Sequence, residues 1–238
     1  MNGCIFYYPG GTAAMDHAAK ILQAEGCRFA AAPGPEVTEL LLPVPLVHSD
    51  ALPDLLRQLP AQLRIFGGRL PPLSGYRVHD LLLNSAYTAQ NANITAHCAV
   101  QYASERLPVI LQDCSVLVIG WGRIGKCLAK LLQATGAQVT VAARKEADRA
   151  ILCALGYRTC STASLQTDSY RVIFNTAPAP IPCQISENCL AIDLASVPGL
   201  TGKHILHATG LPGKLAPHSS GQLIAQSILQ ILKKEALQ

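Results

Sequence analysis

The chain has 238 residues, half of them hydrophobic and only 14% charged, with 19 Lys and Arg against 15 Asp and Glu for a formal charge of +4. That balance excludes a disordered chain and leaves room for one or two domains with a real core, built mainly from Ala, Leu, Val and Ile because aromatics are 5%. The cations are scattered and form no basic patch, so nucleic acid is not an expected partner. In chain order, the apolar run Cys4–Tyr8 meets Pro9-Gly10-Gly11-Thr12. Ala14, Ala18, Ile21 and Leu22 then recur at helical spacing up to Gly26. Arg28–Ala32, Leu40–Leu42 and Leu63–Phe66 read as short strands in a proline-dense stretch. From Thr88 to Arg106 neither Gly nor Pro intervenes, and Ala92, Thr95, Ala96, Ala99, Val100 and Ala103 line one face of a long helix that Pro108 closes. That helix bridges two predicted domains. Val116–Ile119, Val139–Val141, Val172–Phe174, Leu190–Leu194 and Ile205–Ala208 read as strands, the first of them separated by helical stretches, as a parallel sheet requires. Gly221–Leu237 reads as a last helix, with Lys233 and Lys234 suiting its negative end.

The nine cysteines contain no Cys-x-x-Cys pair, so neither a zinc site nor any other metal site is expected. They read as small buried hydrophobes of a reduced, cytoplasmic protein. Met1-Asn2-Gly3 leads directly into the first strand without a leader pattern, and no apolar stretch reaches the ~18 residues of a membrane span.

The strongest motif is Gly120-Trp121-Gly122-Arg123-Ile124-Gly125, which follows an apolar strand and opens a helix. In a dinucleotide site Gly120 allows the tight turn, Gly122 lets backbone approach a pyrophosphate, and Gly125 lets helix and strand pack closely. The helix N-terminus offers amides to the phosphates. The plain alternative is a glycine turn without a ligand. The next strand runs to Ala143-Arg144-Lys145, where an NAD site usually carries Asp or Glu for the ribose 2′-hydroxyl. Arg144 can grip a 2′-phosphate in a bidentate fork and Lys145 can add a point charge, so NADP is the expected cofactor. A solvated basic turn is the alternative. Asn175, Thr176 and Asp193 close later strands on the predicted ligand rim and are further candidate cofactor contacts; as an alternative they form ordinary turns.

Asn91-Ala92-Asn93-Ile94-Thr95-Ala96, the glycine loop, Val141–Lys145, Asn175-Thr176-Ala177-Pro178, Ile192–Gly199, Gly210-Leu211-Pro212-Gly213, Ala216-Pro217 and Gly221-Gln222 follow one another in an order and spacing that resembles the A-type subunits of dipicolinate synthase. The resemblance implies a two-domain fold like that of 2-hydroxyacid dehydrogenases. It also implies oxidation of a cyclic dihydro- or tetrahydrodipicolinate to pyridine-2,6-dicarboxylate, in sporulation, with a hydride passed to NADP⁺. A small dicarboxylate substrate and a flavoprotein-like second subunit come with it. The chain departs from that family at Thr12-Ala13, where an acid and a base are usual, at His97-Cys98 in place of Glu-Gly, and at His218 in place of Lys.

Such a reaction needs a base, and an imidazole suits it near neutrality, so His97 and His218 are the candidates, each with a structural reading beside it. Gly10, Gly11 and Thr12 are candidates to hold a substrate carboxylate on helix amides, with a simple Thr12 cap as the alternative. Ser196, Lys214 and Arg69 complete the substrate side. The expectation is therefore α/β: a doubly wound parallel Rossmann sheet over residues 91–238 and a smaller α/β domain over residues 1–90, with the helix 221–237 folding back on the latter. The alternative functions are an NADP-dependent hydroxyacid-type reductase and a regulatory subunit that binds cofactor without catalysis. Helices rich in small residues leave a homodimer open.

Overall fold

The structure, a computed structural model, describes residues 3–237. The chain divides into two units, one formed by the residues up to Asn91 with those from Pro212 onward, the other by Ala92–Leu211.

The first unit begins with β1 (Ile5–Tyr7), α1 (Ala13–Ala24), β2 (Arg28–Phe29), β3 (Glu39–Leu41), α2 (Leu52–Leu56), β4 (Arg64–Gly67) and β5 (Arg77–Asp80). Among the described residues these strands form one parallel sheet in the order β2-β1-β3-β4-β5. Phe6, Leu40, Ile65 and Phe66 are its fully buried centre. The order reverses between β1 and β3, the switch point where a doubly wound sheet opens a crevice at its carboxyl end.

α3 (Ser85–Ser104) then crosses the division between the units. It starts three residues before Thr88 because the Asn84 side chain accepts hydrogen bonds from the amides of Ala86 and Tyr87, capping the helix.

In the second unit, β6 (Ser115–Ile119), α4 (Arg123–Ala134), β7 (Gln138–Ala142), α5 (Glu146–Ala154) and β8 (Arg158–Cys160) form two crossovers. β9 (Val172–Asn175), β10 (Leu190–Asp193) and β11 (Ile205–His207) follow without intervening helices. The sheet is parallel throughout, in the order β11-β10-β9-β6-β7-β8. This is the Rossmann arrangement, with the reversal between β6 and β9.

The chain ends with α6 (Leu211–Leu215) and α7 (Pro217–Glu235). α7 begins four residues before Gly221, with Pro217 in the first turn, where the missing amide is harmless. Gly221 instead lies inside the helix, packed on α1: a Cβ there would overlap the carbonyl oxygen of Ala14 and sit 2.8 Å from the Cβ of His17. Only glycine allows α1 and α7 to approach backbone to backbone.

Candidate functional site

At the switch point of the second sheet, β6 ends at Ile119 and the chain turns through Gly120, whose φ of +105° is left-handed territory that favours glycine. Thr176, just past β9, ties this turn down: its amide donates to the Ile119 carbonyl at 2.8 Å and its hydroxyl donates to the same oxygen at 3.0 Å. Gly125 presses against the Gly120 carbonyl with no space for a Cβ, while a Cβ at Gly122 would meet nothing within 4 Å. Gly122 is the N-cap of α4, and no side chain caps that helix. The three glycines thus have the three environments a dinucleotide loop needs: a turn, an open approach and a tight packing point. The open amide end of α4 fits a pyrophosphate.

Trp121 lies edge-on to Tyr157, with ring centroids 5.9 Å apart, and the Lys126 ammonium stands 5.6 Å from the indole. Arg123 is exposed and Ile124 half-buried. At the end of β7, Ala143 is buried while Arg144 and Lys145 are exposed. Arg149, which the loop motif does not single out, reaches back from α5 to the carbonyls of Ala143 and Arg144. Its signal in the sequence is only its place, four residues past Lys145.

Asn175 and Asp193 are fully buried, and their polar atoms are engaged within the protein. The Asn175 amide donates to Asp193 Oδ1 at 3.0 Å and to the Ala177 carbonyl, while its oxygen accepts from the Ala177 amide. Asp193 accepts further bonds from the amides of Ala195, Gly199 and Leu200. Both residues shape the loops on the carboxyl rim of the sheet. Ser196 is exposed on one of those loops.

The remaining candidates lie on several elements of both units. His97 is exposed on α3, with Cys98 buried beside it in sequence. His218 is exposed in the first turn of α7, and its ring stacks on His17 at 4.2 Å. Gly10 has a φ of +95°, and a Cβ on Gly11 would sit 3.1 Å from the Tyr8 hydroxyl, which donates to Asp16. Thr12 caps α1 by accepting from the Met15 amide at 3.4 Å. Lys214 is exposed in α6, and Arg69 has a left-handed φ of +57°. Among the described residues, no three His, Cys, Asp or Glu side chains group to hold a metal, and no helix is long and apolar enough to cross a membrane.

Residues 82–180 match the NAD binding domain of the D-isomer specific 2-hydroxyacid dehydrogenase family. Most of that match falls in the second unit, whose parallel sheet and glycine loop are of the dehydrogenase NAD(P)-binding type. The particular likeness is to dipicolinate synthase, in its A-type polypeptide. The chain is 31% identical over 157 residues to that polypeptide from Bacillus subtilis (strain 168), an alignment covering 60% of this chain and 53% of the relative. The match thus spans about half the length of that relative. The fold is shared more completely. The crystal structure of the same dipicolinate synthase polypeptide from Bacillus halodurans superposes with a TM-score of 0.84 at 21% identity, over 97% of this chain and 98% of that one. The crystal structure of its Bacillus subtilis counterpart gives 0.83 at 23%, over 100% and 99%.

Proposed function

We propose that the protein is an NADP-dependent oxidoreductase subunit of the dipicolinate synthase type. It oxidises a dihydrodipicolinate to pyridine-2,6-dicarboxylate, or a tetrahydrodipicolinate through two such steps, in the reduced cytoplasm of a sporulating cell. The ring loses one hydride and one proton per step and gains aromaticity in the last. When bound, the nicotinamide supplies the hydride acceptor. The chain's part is to hold and orient. The amides at the start of α4 take the pyrophosphate, with Arg123 beside them, and the Thr176 anchor keeps that loop in place. Arg144 and Lys145 take the 2′-phosphate. His97 and His218 are the groups available to accept the ring proton, and Gly10, Gly11, Thr12, Ser196 and Lys214 form the substrate side. A second, flavoprotein-like subunit completes the enzyme.

The observation that carries the reading is the tip of β7, where Ala143 is followed by two exposed cations in place of the acid that would take a free 2′-hydroxyl. The test is to titrate NADPH and NADH against the parent and Arg144→Ala. Tighter binding of NADPH by the parent, lost by about tenfold in the variant, supports it. Equal affinity for the two cofactors in the parent overturns the NADP assignment. Binding without any dipicolinate formation, alone or with the partner subunit, overturns the enzymatic reading.

A further inference from the structure

The turn after β7 is held from behind. Arg149 lies at the end of the first turn of α5, and its Nη1 donates to the carbonyl oxygens of Ala143 and Arg144, each at 2.9 Å. Its backbone amide donates to the Lys145 carbonyl at 3.2 Å. Three successive carbonyls are therefore turned toward α5. A carbonyl oxygen is the negative end of a dipole, and carbonyls facing an incoming phosphate would repel it, more weakly than a carboxylate but in the same sense. With those oxygens on Arg149, the turn presents the exposed side chains of Arg144 and Lys145 outward. Arg149 itself is half-buried, and among the described residues Nη1 is the one side-chain nitrogen of it engaged in hydrogen bonds. Its Nη2 and Nε hydrogens remain as donors in the fixed plane that a guanidinium imposes.

We propose that Arg149 is a specificity-determining residue for the 2′-phosphate of NADP, its side chain turning the carbonyls of Ala143 and Arg144 away from it and adding a fixed cation behind Arg144. The inference rests on the NADP reading above and names the residue that enforces it. The same side chain satisfies the turn internally: the guanidinium bridges two carbonyls that would otherwise depend on solvent.

The test isolates the 2′-phosphate. Adenosine 2′,5′-bisphosphate and adenosine 5′-monophosphate are titrated by calorimetry into the parent, Arg149→Met, Arg149→Lys and Arg144→Ala, with thermal unfolding followed in parallel. The expected result is that the parent prefers the bisphosphate. Arg149→Met narrows that preference by about tenfold with the monophosphate affinity unchanged. Arg149→Lys keeps the charge but loses the rigid guanidinium plane that holds Nη1 between the two carbonyls, so it restores only part of the preference. An unchanged preference in both Arg149 variants overturns the inference. So does an equal loss for both nucleotides, which marks Arg149 as a brace for α5 and nothing more. If the parent has no preference, the NADP reading falls and the inference with it. If the parent's preference collapses in Arg144→Ala but survives both Arg149 variants, the inference alone fails.

Discussion

In the first unit the buried carboxylate, Glu39, is the first residue of β3, at the amino end of the strands. In the second, Asp193 is the last residue of β10, at the carboxyl end. Glu39 pairs with Arg64, whose Nε donates to it at 3.1 Å, and accepts from the Thr38 hydroxyl. Arg64 also reaches Glu235 at the end of α7 at 3.0 Å. That charge anchors a helix. Among the described residues Asp193 pairs with no cation; three backbone amides and the Asn175 amide hold it, and the loops so held rim the crevice. The glycine turns differ in the same sense. Thr12 fills the cap of α1 and the Tyr8 hydroxyl crowds Gly11, whereas α4 has no side-chain cap and Gly122 faces open space. Two parallel sheets thus offer two switch points, and what separates them chemically is the polar backbone each leaves open.

The largest effects should come from two of the glycines whose Cβ would strike a carbonyl, Gly125 and Gly221. Gly125→Ala drives a methyl into the Gly120 carbonyl, and backbone on both sides offers no rotamer to relieve it. The loop must open, and NADPH affinity should fall by about a hundredfold in a fluorescence titration. Gly221→Ala makes the same clash against Ala14, but between α1 and α7 of the first unit. It should lower stability by about 1–3 kcal/mol in urea while leaving NADPH affinity alone. Cofactor loss as deep as that of Gly125→Ala would break the division of roles. Asp193→Ala, which leaves buried amides unpaired, should cost a comparable amount, about 1–3 kcal/mol, with weakened NADPH binding. Thr12→Ala should cost about 1 kcal/mol, the usual value of a helix cap, with NADPH binding unchanged.

Apolar patterning made most of the frame legible: β6, β9 and β10 are dominated by Val, Ile, Leu and Phe, and β7 carries Val139, Val141 and Ala142, side chains that cannot be left in water. β5 and β8 escaped that reading because Arg77-Val78-His79-Asp80 and Arg158-Thr159-Cys160 are short and polar, and only pairing with β4 and β7 makes them strands. The start of α7 was hidden because Gly221 looks like punctuation until α1 is seen against it. In the site, the glycine loop was legible from spacing, but the side-chain directions of Asn175 and Asp193 were not. Both sit at strand ends where ligand contacts are common, and only their hydrogen bonds show them turned inward. Arg149 acts on residues five and six positions back through backbone carbonyls, an interaction that leaves no residue-type pattern.

The smallest expected effect sharpens the contrast in the first unit, where the anchored helix end meets a histidine. His79 lies in β5, its ring stacked on Phe66 at 4.9 Å and its Nε2 3.2 Å from a Glu235 carboxylate oxygen. Burial holds its imidazole below the ordinary 6.5, and the carboxylate of Glu235 only partly opposes that. In the unfolded chain the same group takes a proton near its ordinary value of about 6.5. Between the folded and unfolded values the unfolded state binds the extra proton, so stability is full above about pH 6.5 and declines as the pH falls through it. The decline stops once the folded imidazole is protonated as well. His79→Gln should flatten this part of a plot of urea midpoint against pH, whereas Glu235→Gln, which removes the opposing attraction, should steepen it. Identical slopes in the parent and His79→Gln would show that the acid sensitivity of the first unit lies elsewhere. With the cofactor held as proposed at the other sheet, NADPH affinity should stay level in both variants across the same range.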